Sequence, residues 1–381
     1  MKFITSSENL LKTIQPLIGI IGNNSTLPIV ENILLQVDKT VLRVKATDLQ
    51  TTIINTTSIE SESHESIAVN AKLLLETLKS FAEQPLTFKT NKENNTLEIT
   101  SEKGNYTLSY LDSDEFPQTP ELNDSQSTKL HVNTLKKGIK NTLFATSNDE
   151  LRPVINGISI EMNNNNILFV ATDAHKLVKY TNQIETNDSA SFIVPKKPLH
   201  LLKNILQEIN NEVQVRYNKT NIIFAFGGME IYCRLVDGNY PNYSAVIPKE
   251  NPNHLNIDRN ILLSCLKRVS IFSNQSTRRI KLKINGNEMN VSGEDLDFSN
   301  KANEILKCDY EGNDIQIAFN GKFLIEILNT LQSEKINMYF SNPSKAAIIK
   351  PDDGVKEEED VLMLIMPMHL EPQEEDTQDV G

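Results

Sequence analysis

The chain has no tryptophan, and aromatic residues fill only 6% of its 381 positions. Its core must come from aliphatic side chains, and a hydrophobic content of 39% is low but sufficient for globular domains. Cysteine is scarce too: Cys233, Cys265 and Cys308 are far apart, odd in number and form no Cys-x-x-Cys. This pattern excludes a disulfide framework and a cysteine zinc site, and it fits a reducing cytoplasm. Long apolar runs are absent. The longest, Val361 to Met366, is six residues, against about 20 for a membrane-spanning helix. The N-terminal Met1-Lys2-Phe3-Ile4-Thr5-Ser6-Ser7-Glu8 has no apolar signal core.

Signatures of catalysis are missing as well. Gly312 and Gly321-Lys322 are too far apart for a P-loop, and neither Gly-x-Ser-x-Gly nor His-Glu-x-x-His occurs. The six histidines are scattered, and no serine or cysteine has an identifiable base. Asp173-x-His175 could place two metal ligands on one strand face, but no third ligand follows at suitable spacing. Asp295-Leu296-Asp297 opens like a calcium loop but lacks the central glycine and closing glutamate, and reads as a turn. The residues call for no catalytic group, metal or cofactor.

What is present is an internal repeat. Lys72, Lys197 and Lys322 are spaced by 125 residues and again by 125, each between a strand-like stretch and an amphipathic run. Ala46-Thr47-Asp48-Leu49 recurs as Ala171-Thr172-Asp173-Ala174, also 125 later, and in degenerate form as Ser292-Gly293-Glu294-Asp295. Phe116-Pro117, Tyr240-Pro241 and Met366-Pro367 keep nearly the same register. A period this long suits a whole domain, so the chain divides into domains at 1–122, 128–247 and 254–370, followed by an acidic, disordered tail at 371–381.

Hydrophobic periodicity gives helices at 7–21, 71–82, 132–146, 198–209, 258–272 and 321–332, with strands between them. Helix, strands, helix, strands in each third indicates an α+β fold with antiparallel sheets. Net charge is −12, which alone argues against a nucleic-acid partner. The distribution argues otherwise. Taken with the residues that lead into them, the helical segments 7–21, 70–82, 132–146, 195–206, 257–272 and 320–332 carry +9 and the remainder −21. A basic helix set in an acidic body is the mark of one surface turned toward a polyanion; ordinary solvated faces give the same count by chance. Leu364-Ile365-Met366-Pro367-Met368-His369-Leu370 is either the last core strand or an adaptable apolar binding surface.

Three units with Ala171-Thr172-Asp173-Ala174-His175-Lys176-Leu177, Leu235-Val236-Asp237-Gly238-Asn239-Tyr240-Pro241-Asn242-Tyr243 and Met366-Pro367-Met368-His369-Leu370 together resemble the bacterial sliding clamp, the β subunit of DNA polymerase III. The resemblance runs to Leu370. It implies three clamp domains per chain, a head-to-tail homodimeric ring, sheets outside, helices lining a hole, double-stranded DNA threaded without sequence readout, and no catalysis. It implies partners as well: polymerases, the clamp loader and repair proteins, held through short apolar peptides.

By the same resemblance the partner pocket comprises Ile155, Thr172, His175, Lys176, Leu177, Pro241, Val246, Asn320, Phe323, Met366, Pro367, Met368 and Leu370. The candidate DNA-facing cations are Lys12, Lys72, Lys136, Lys137, Lys140, Lys196, Lys197, Lys203, Lys267 and Arg268. Tyr106 of one chain would meet Ile271 and Phe272 of the other. Departures from the family pattern are Ala174 for a frequent glycine, His369 for a frequent arginine, Ser244-Ala245 for a basic pair, Asn24 in a loop that often offers arginine, and the tail itself. A scaffold without DNA and an enzyme with an unrecognised site stay open as alternatives.

Overall fold

The computed structural model of the chain describes residues 1–370 apart from 23–26, 62, 164, 185–188 and 207–211. The tail expected at 371–381, Asn24 and the end of the helix expected at 198–209 lie outside the described residues.

The first repeat runs β1 (Lys2–Ser6), α1 (Ser7–Ile14), β2 (Asn32–Asp38), β3 (Val41–Thr47), β4 (Thr51–Ser58), β5 (Glu60–Ser61), β6 (His64–Asn70), α2 (Ala71–Lys79), β7 (Pro85–Asn91), β8 (Thr96–Thr100) and β9 (Asn105–Asp112). The second runs β10 (Gln126–His131), α3 (Val132–Thr142), β11 (Gly157–Asn163), β12 (Asn166–Thr172), β13 (Lys176–Gln183), β14 (Ala190–Pro195), α4 (Lys196–Ile205), β15 (Glu212–Tyr217), β16 (Asn221–Phe226) and β17 (Met229–Arg234). The third runs β18 (Asn253–Asp258), α5 (Arg259–Val269), β19 (Arg279–Asn285), β20 (Glu288–Asp295), β21 (Asn300–Lys307), β22 (Asp309–Glu311), β23 (Ile315–Asn320), α6 (Gly321–Thr330), β24 (Lys335–Phe340), β25 (Ala347–Pro351) and β26 (Glu359–Ile365).

Each of these α-helices follows directly on a strand. The junction residue often caps it: Ser6, Asn70, Asp258 and Asn320 accept backbone N–H bonds from Asn9, Leu73, Ile261 and Lys322. These caps satisfy donors that the first turn would otherwise leave bare. The first helix of each repeat is shorter than its periodicity predicts. α1, α3 and α5 each pass into a 3-10 turn, at Gln15–Ile20, Leu143–Ala145 and Ser270–Phe272. In α1 the cause is Pro16, which has no N–H to continue the ladder. The apolar spacing persists through the 3-10 turns, so it does not report where the α-helix stops.

Contacts group the chain into two compact units, one of residues 1–137 and 192–237, the other of residues 138–191 and 238 onward. In the first unit one antiparallel sheet runs in the order β10-β15-β16-β17-β4-β3-β2-β6-β9-β8-β7-β1-β5. Its central step joins two repeats: Thr52 of β4 faces Tyr232 of β17, and Ile53 faces Ile231. Leu10 and Ile14 of α1 and Leu74 and Leu78 of α2 are buried.

In the second unit β11-β12-β13-β26-β25-β24-β18-β22 form one run and β21-β20-β19-β23 a separate sheet. Here β13 and β26 join two repeats, with Leu177 opposite Leu364 and Tyr180 opposite Val361. Among the unpaired strand edges, two are the repeat equivalents of the joints just described. Residues 105–109 of β9 pair only with β8, and β21 pairs only with β20, among the described residues.

Gly138, inside α3, shows how tightly a helix sits on its sheet. A Cβ there would lie 2.5 Å from the ring of the fully buried Phe169. Glycine normally weakens a helix relative to alanine. Here the close approach reverses the sign, and Gly138→Ala is expected to lower stability by about 1–3 kcal/mol in urea titration.

Candidate functional site

The turn between β12 and β13 is built by the repeated Thr-Asp pair. Thr172 Oγ1 donates to the Lys176 carbonyl at 2.8 Å and accepts from Ala174 N–H at 3.1 Å. Asp173 Oδ1 accepts from His175 N–H at 2.9 Å and Lys176 N–H at 2.8 Å. The first repeat makes the same turn: Thr47 Oγ1 donates to the Thr51 carbonyl and accepts from Leu49 N–H, and Asp48 Oδ1 accepts from Gln50 and Thr51. The motif is therefore a hairpin device, and this is the role of Asp173 in Asp173-x-His175. No cluster of potential metal ligands occurs among the described residues. Asp295 likewise accepts from the backbone of Asp297, an Asx turn.

This turn forms one wall of an apolar groove of about 520 Å3. Of the expected pocket residues, Ile155, Thr172, His175, Lys176, Leu177, Pro241, Val246 and Met366 line it. Leu151, Arg152, Pro153, Val154, Ala174, Asn242, Tyr243 and Leu364 line it too and are absent from the expected pocket set, although Leu364 belongs to the apolar stretch singled out as a candidate binding surface. Leu364 could have been found from the β13–β26 register, which sets it beside Leu177. Leu177 and Leu364 form the buried floor, while Val246 and Met366 are 51% and 40% exposed at the rim. Leu151 stands 91% exposed beside them. Exposed apolar side chains gathered over a buried apolar floor are what a ligand groove needs.

Asn320, Phe323, Pro367, Met368 and Leu370 are not part of the groove lining. Phe323 stacks on His175 at 5.7 Å between ring centroids, and so backs the groove wall. Asn320 caps α6 and donates to the Thr277 carbonyl. Met368 N–H donates to the Ala318 carbonyl at 2.7 Å, fastening the segment after β26 to β23.

Lys176 is buried at 4% exposure, with Nζ 2.6 Å from Asp173 Oδ2, 3.1 Å from Glu326 Oε2 and 4.3 Å from the Phe323 ring centroid. It is a paired interior cation that holds the turn, rather than a free rim charge. Burial first, then the Glu161 carboxylate, pushes the Tyr243 hydroxyl up to about 12; it donates to Glu161 at 3.3 Å. Burial likewise raises Tyr240. Both tyrosines are neutral at physiological pH.

The matching place in the first unit is different. Where the groove has Leu177 opposite Leu364, the β4–β17 pairing has Thr52 opposite Tyr232. Lys45 stands 125 residues before Val170, a buried residue packed with Leu177 and Leu364. Lys45 Nζ donates to the Pro117 carbonyl at 2.5 Å and lies 5.3 Å from the Phe116 centroid. Burial, then repulsion by Arg43, lowers its pKa to about 8. The cleft beside it is lined by Gln36, Arg43, Ser113 and Asp114 as well as apolar groups. Of the two pairings, the second unit's is the apolar one.

The expected DNA-facing cations all sit on the solvent side of their helices. Lys12, Lys72, Lys140, Lys197 and Lys267 are exposed, and Lys136, Lys137, Lys196 and Lys203 are half-buried. Several already have acidic partners. Lys12 pairs with Glu8 at 2.6 Å, and Lys197 with Asp48. Arg268 grips Glu304 with two bonds of 2.8 and 2.6 Å. Of the expected interface residues, Tyr106 is 41% exposed on β9, and Ile271 and Phe272 are 70% and 41% exposed after α5.

Comparison with known proteins gives three adjoining family matches. Residues 1–120 match the N-terminal domain of the DNA polymerase III beta subunit, residues 129–242 its central domain and residues 244–369 its C-terminal domain. The chain is 28% identical over 373 residues to the beta sliding clamp of Escherichia coli K12, covering 97% of this chain and 100% of that one. A crystal structure of a DnaN sliding clamp from Pseudomonas aeruginosa bound to griselimycin superimposes with a TM-score of 0.91 at 26% identity, with the same coverage. One from Bartonella birtlesii, also bound to griselimycin, gives 0.91 at 25%.

Ala174 carries a strain that a test can expose. Its φ is +74°, as is that of Leu49 in the matching turn. This left-handed region disfavours any side chain. Ala174→Gly should therefore raise stability by about 0.5–1 kcal/mol, read from the thermal or urea midpoint, with the groove intact.

Proposed function

From the premise that the chain belongs to the DNA polymerase III beta subunit family, and is thus a non-catalytic DNA sliding clamp, we propose how it closes, what it grips and what it tethers. Its three domains span 1–122, 128–247 and 254–370, and the chain works in the cytoplasm. Among the described residues, no helix is long and apolar enough to cross a membrane.

Two copies close head to tail by pairing β9 of one with β21 of the other. The repeat supports this pairing and sets its register. β8–β9 pairs Thr96 with Ser109, as β16–β17 pairs Asn221 with Arg234, 125 residues later on both strands. Tyr106 thus corresponds to Ile231, and because the Asp38–Val41 and Asn285–Glu288 hairpin ends match, Gly293, paired with Ala302, matches Ala46, paired with Ile53. Since Ile53 faces Ile231, Ala302 should face Tyr106 of the second chain. Tyr106, Ile271, Phe272 and Ile305 would then be covered, which accounts for their exposure in a single chain. The variant Ala302→Cys with Tyr106→Cys should form a covalent dimer on mild oxidation, because Cys233, Cys265 and Cys308 are buried and do not compete. A double variant that stays monomeric under oxidation would mean a different register or a different joint.

Double-stranded DNA is held by the helix cations through phosphate contacts that carry no sequence information, so the closed ring can slide. This set is Lys12, Lys72, Lys136, Lys137, Lys140, Lys196, Lys197, Lys203, Lys267 and Arg268, of which Lys12, Lys197 and Arg268 also pair with Glu8, Asp48 and Glu304.

The groove of the second unit takes a short extended peptide with large apolar anchors, and through it polymerases, the clamp loader and repair proteins are tethered. The observation that carries this reading is the exposed apolar rim over the Leu177–Leu364 floor. Val246→Ala with Met366→Ala changes two exposed side chains and leaves the floor intact. It should cost roughly 2 kcal/mol or more of peptide binding in calorimetry while the dimer persists. Unchanged affinity in the folded double variant would place the partner site elsewhere.

A further inference from the structure

The sheet β21-β20-β19-β23 has a face that the clamp function leaves unused. Along β19 the side chains opposite the core are Arg279, Lys281 and Lys283, which alternate with buried Ile280, Leu282 and Ile284. Lys301 of β21 joins them around a groove of about 180 Å3, together with Asn290, Ser292 and Gln316. Glu294 is the one acidic side chain in that lining, and it is already bonded to Lys281 at 2.6 Å. Lys281 first, then Lys301 and Arg279 through space, hold the Glu294 carboxyl below its usual range. A local excess of positive charge on a chain of net charge −12 calls for an anionic occupant.

The described chain ends beside this face. Met368 bridges Ala318 of β23, and Ala318 faces Lys281 of β19. The bridge is antiparallel, so Leu370 heads toward Gln316, the residue opposite Lys283. Arg279 Nη1 also donates to the His369 carbonyl at 3.5 Å. Residues 371–381 follow, with Glu371, Glu374, Glu375, Asp376 and Asp379 and no basic residue. Two strand spacings, about 10 Å, separate Met368 from β19. Eleven residues can extend about 36 Å, so the reach is ample.

We propose that the acidic segment 371–381 docks in cis on the basic groove formed by Arg279, Lys281, Lys283 and Lys301. Attachment at Leu370 gives its carboxylates an effective concentration on the order of millimolar, which makes individually weak surface pairs count together. Docking neutralises a cationic sheet face that would otherwise collect nucleic-acid phosphate away from the helices. It also secures the Met366–Leu370 segment, one end of which forms the groove rim.

The test uses the full chain with Gln378→Cys labelled by a fluorophore, since the native cysteines are buried. Label anisotropy should be high at about 0.05 M salt and fall to the value of the free peptide at about 0.5 M, where screening is short-ranged. Lys283→Glu with Lys301→Glu, both exposed positions, should give the free value at low salt. In the unmutated chain, zero-length cross-links from the tail carboxylates should fall on Lys281, Lys283 and Lys301, with yield dropping roughly tenfold across that salt range. Equal anisotropy with and without the two charge reversals, or cross-links directed to other lysines, would overturn the proposal.

Discussion

An unpaired strand edge exposes a row of N–H and C=O groups that must find partners, and this constraint organises the whole chain. Each repeat presents one such edge on its fourth strand or the equivalent, β4, β13 and β21. Within the chain, β4 takes β17 and β13 takes β26, each pair joining one repeat to the next in the same antiparallel sense. The third edge, β21, has no such partner among the described residues, nor does the first half of β9. Three repeats with two internal joints therefore leave two such edges, the pair that the proposed ring closure joins to a second copy. Ring closure is in this sense the same interaction as the one that holds each chain together.

The two internal joints differ in chemical character. A repeat that copied its joint faithfully would offer two equal grooves. Here the pairing of Thr52 with Tyr232, and Lys45 drawn in over Phe116, make the first joint polar. The pairing of Leu177 with Leu364, backed by Val170, keeps the second joint apolar. The buried Lys176, held between Asp173, Glu326 and Phe323, fixes the turn that walls this groove. A few changed side chains, on a similar backbone plan, leave one joint polar and the other with an open apolar groove.

Much of this plan is legible in the amino-acid sequence. The 125-residue spacing of Lys72, Lys197 and Lys322 marks the strand-to-helix junctions, because each repeat needs a start signal at the same place. The helices are legible from their apolar spacing, though their α-helical ends are not. β1, β10 and β18 are hidden because strands of five or six residues running straight into a helix have too little alternation to register. β13 is hidden for a different reason: its Lys176 is buried by ion pairs, so a charged residue sits where the pattern implies solvent. The groove is half visible. Family resemblance supplies Leu177, Pro241, Val246 and Met366, but Leu151, Val154, Tyr243 and Leu364 enter through loop path and strand register, which composition does not encode.

The central claim is topological: two copies form a closed ring around DNA and hold it without reading sequence. Retention on a nicked circular duplex, compared with the same duplex after linearisation, tests it most directly. Clamps loaded on the circle should persist through gel filtration at salt high enough to abolish phosphate contacts, and should slide off within the same time once the circle is cut. Equal retention on circular and linear DNA, with a steep salt dependence on both, would show that the chain binds by surface electrostatics and does not encircle its substrate.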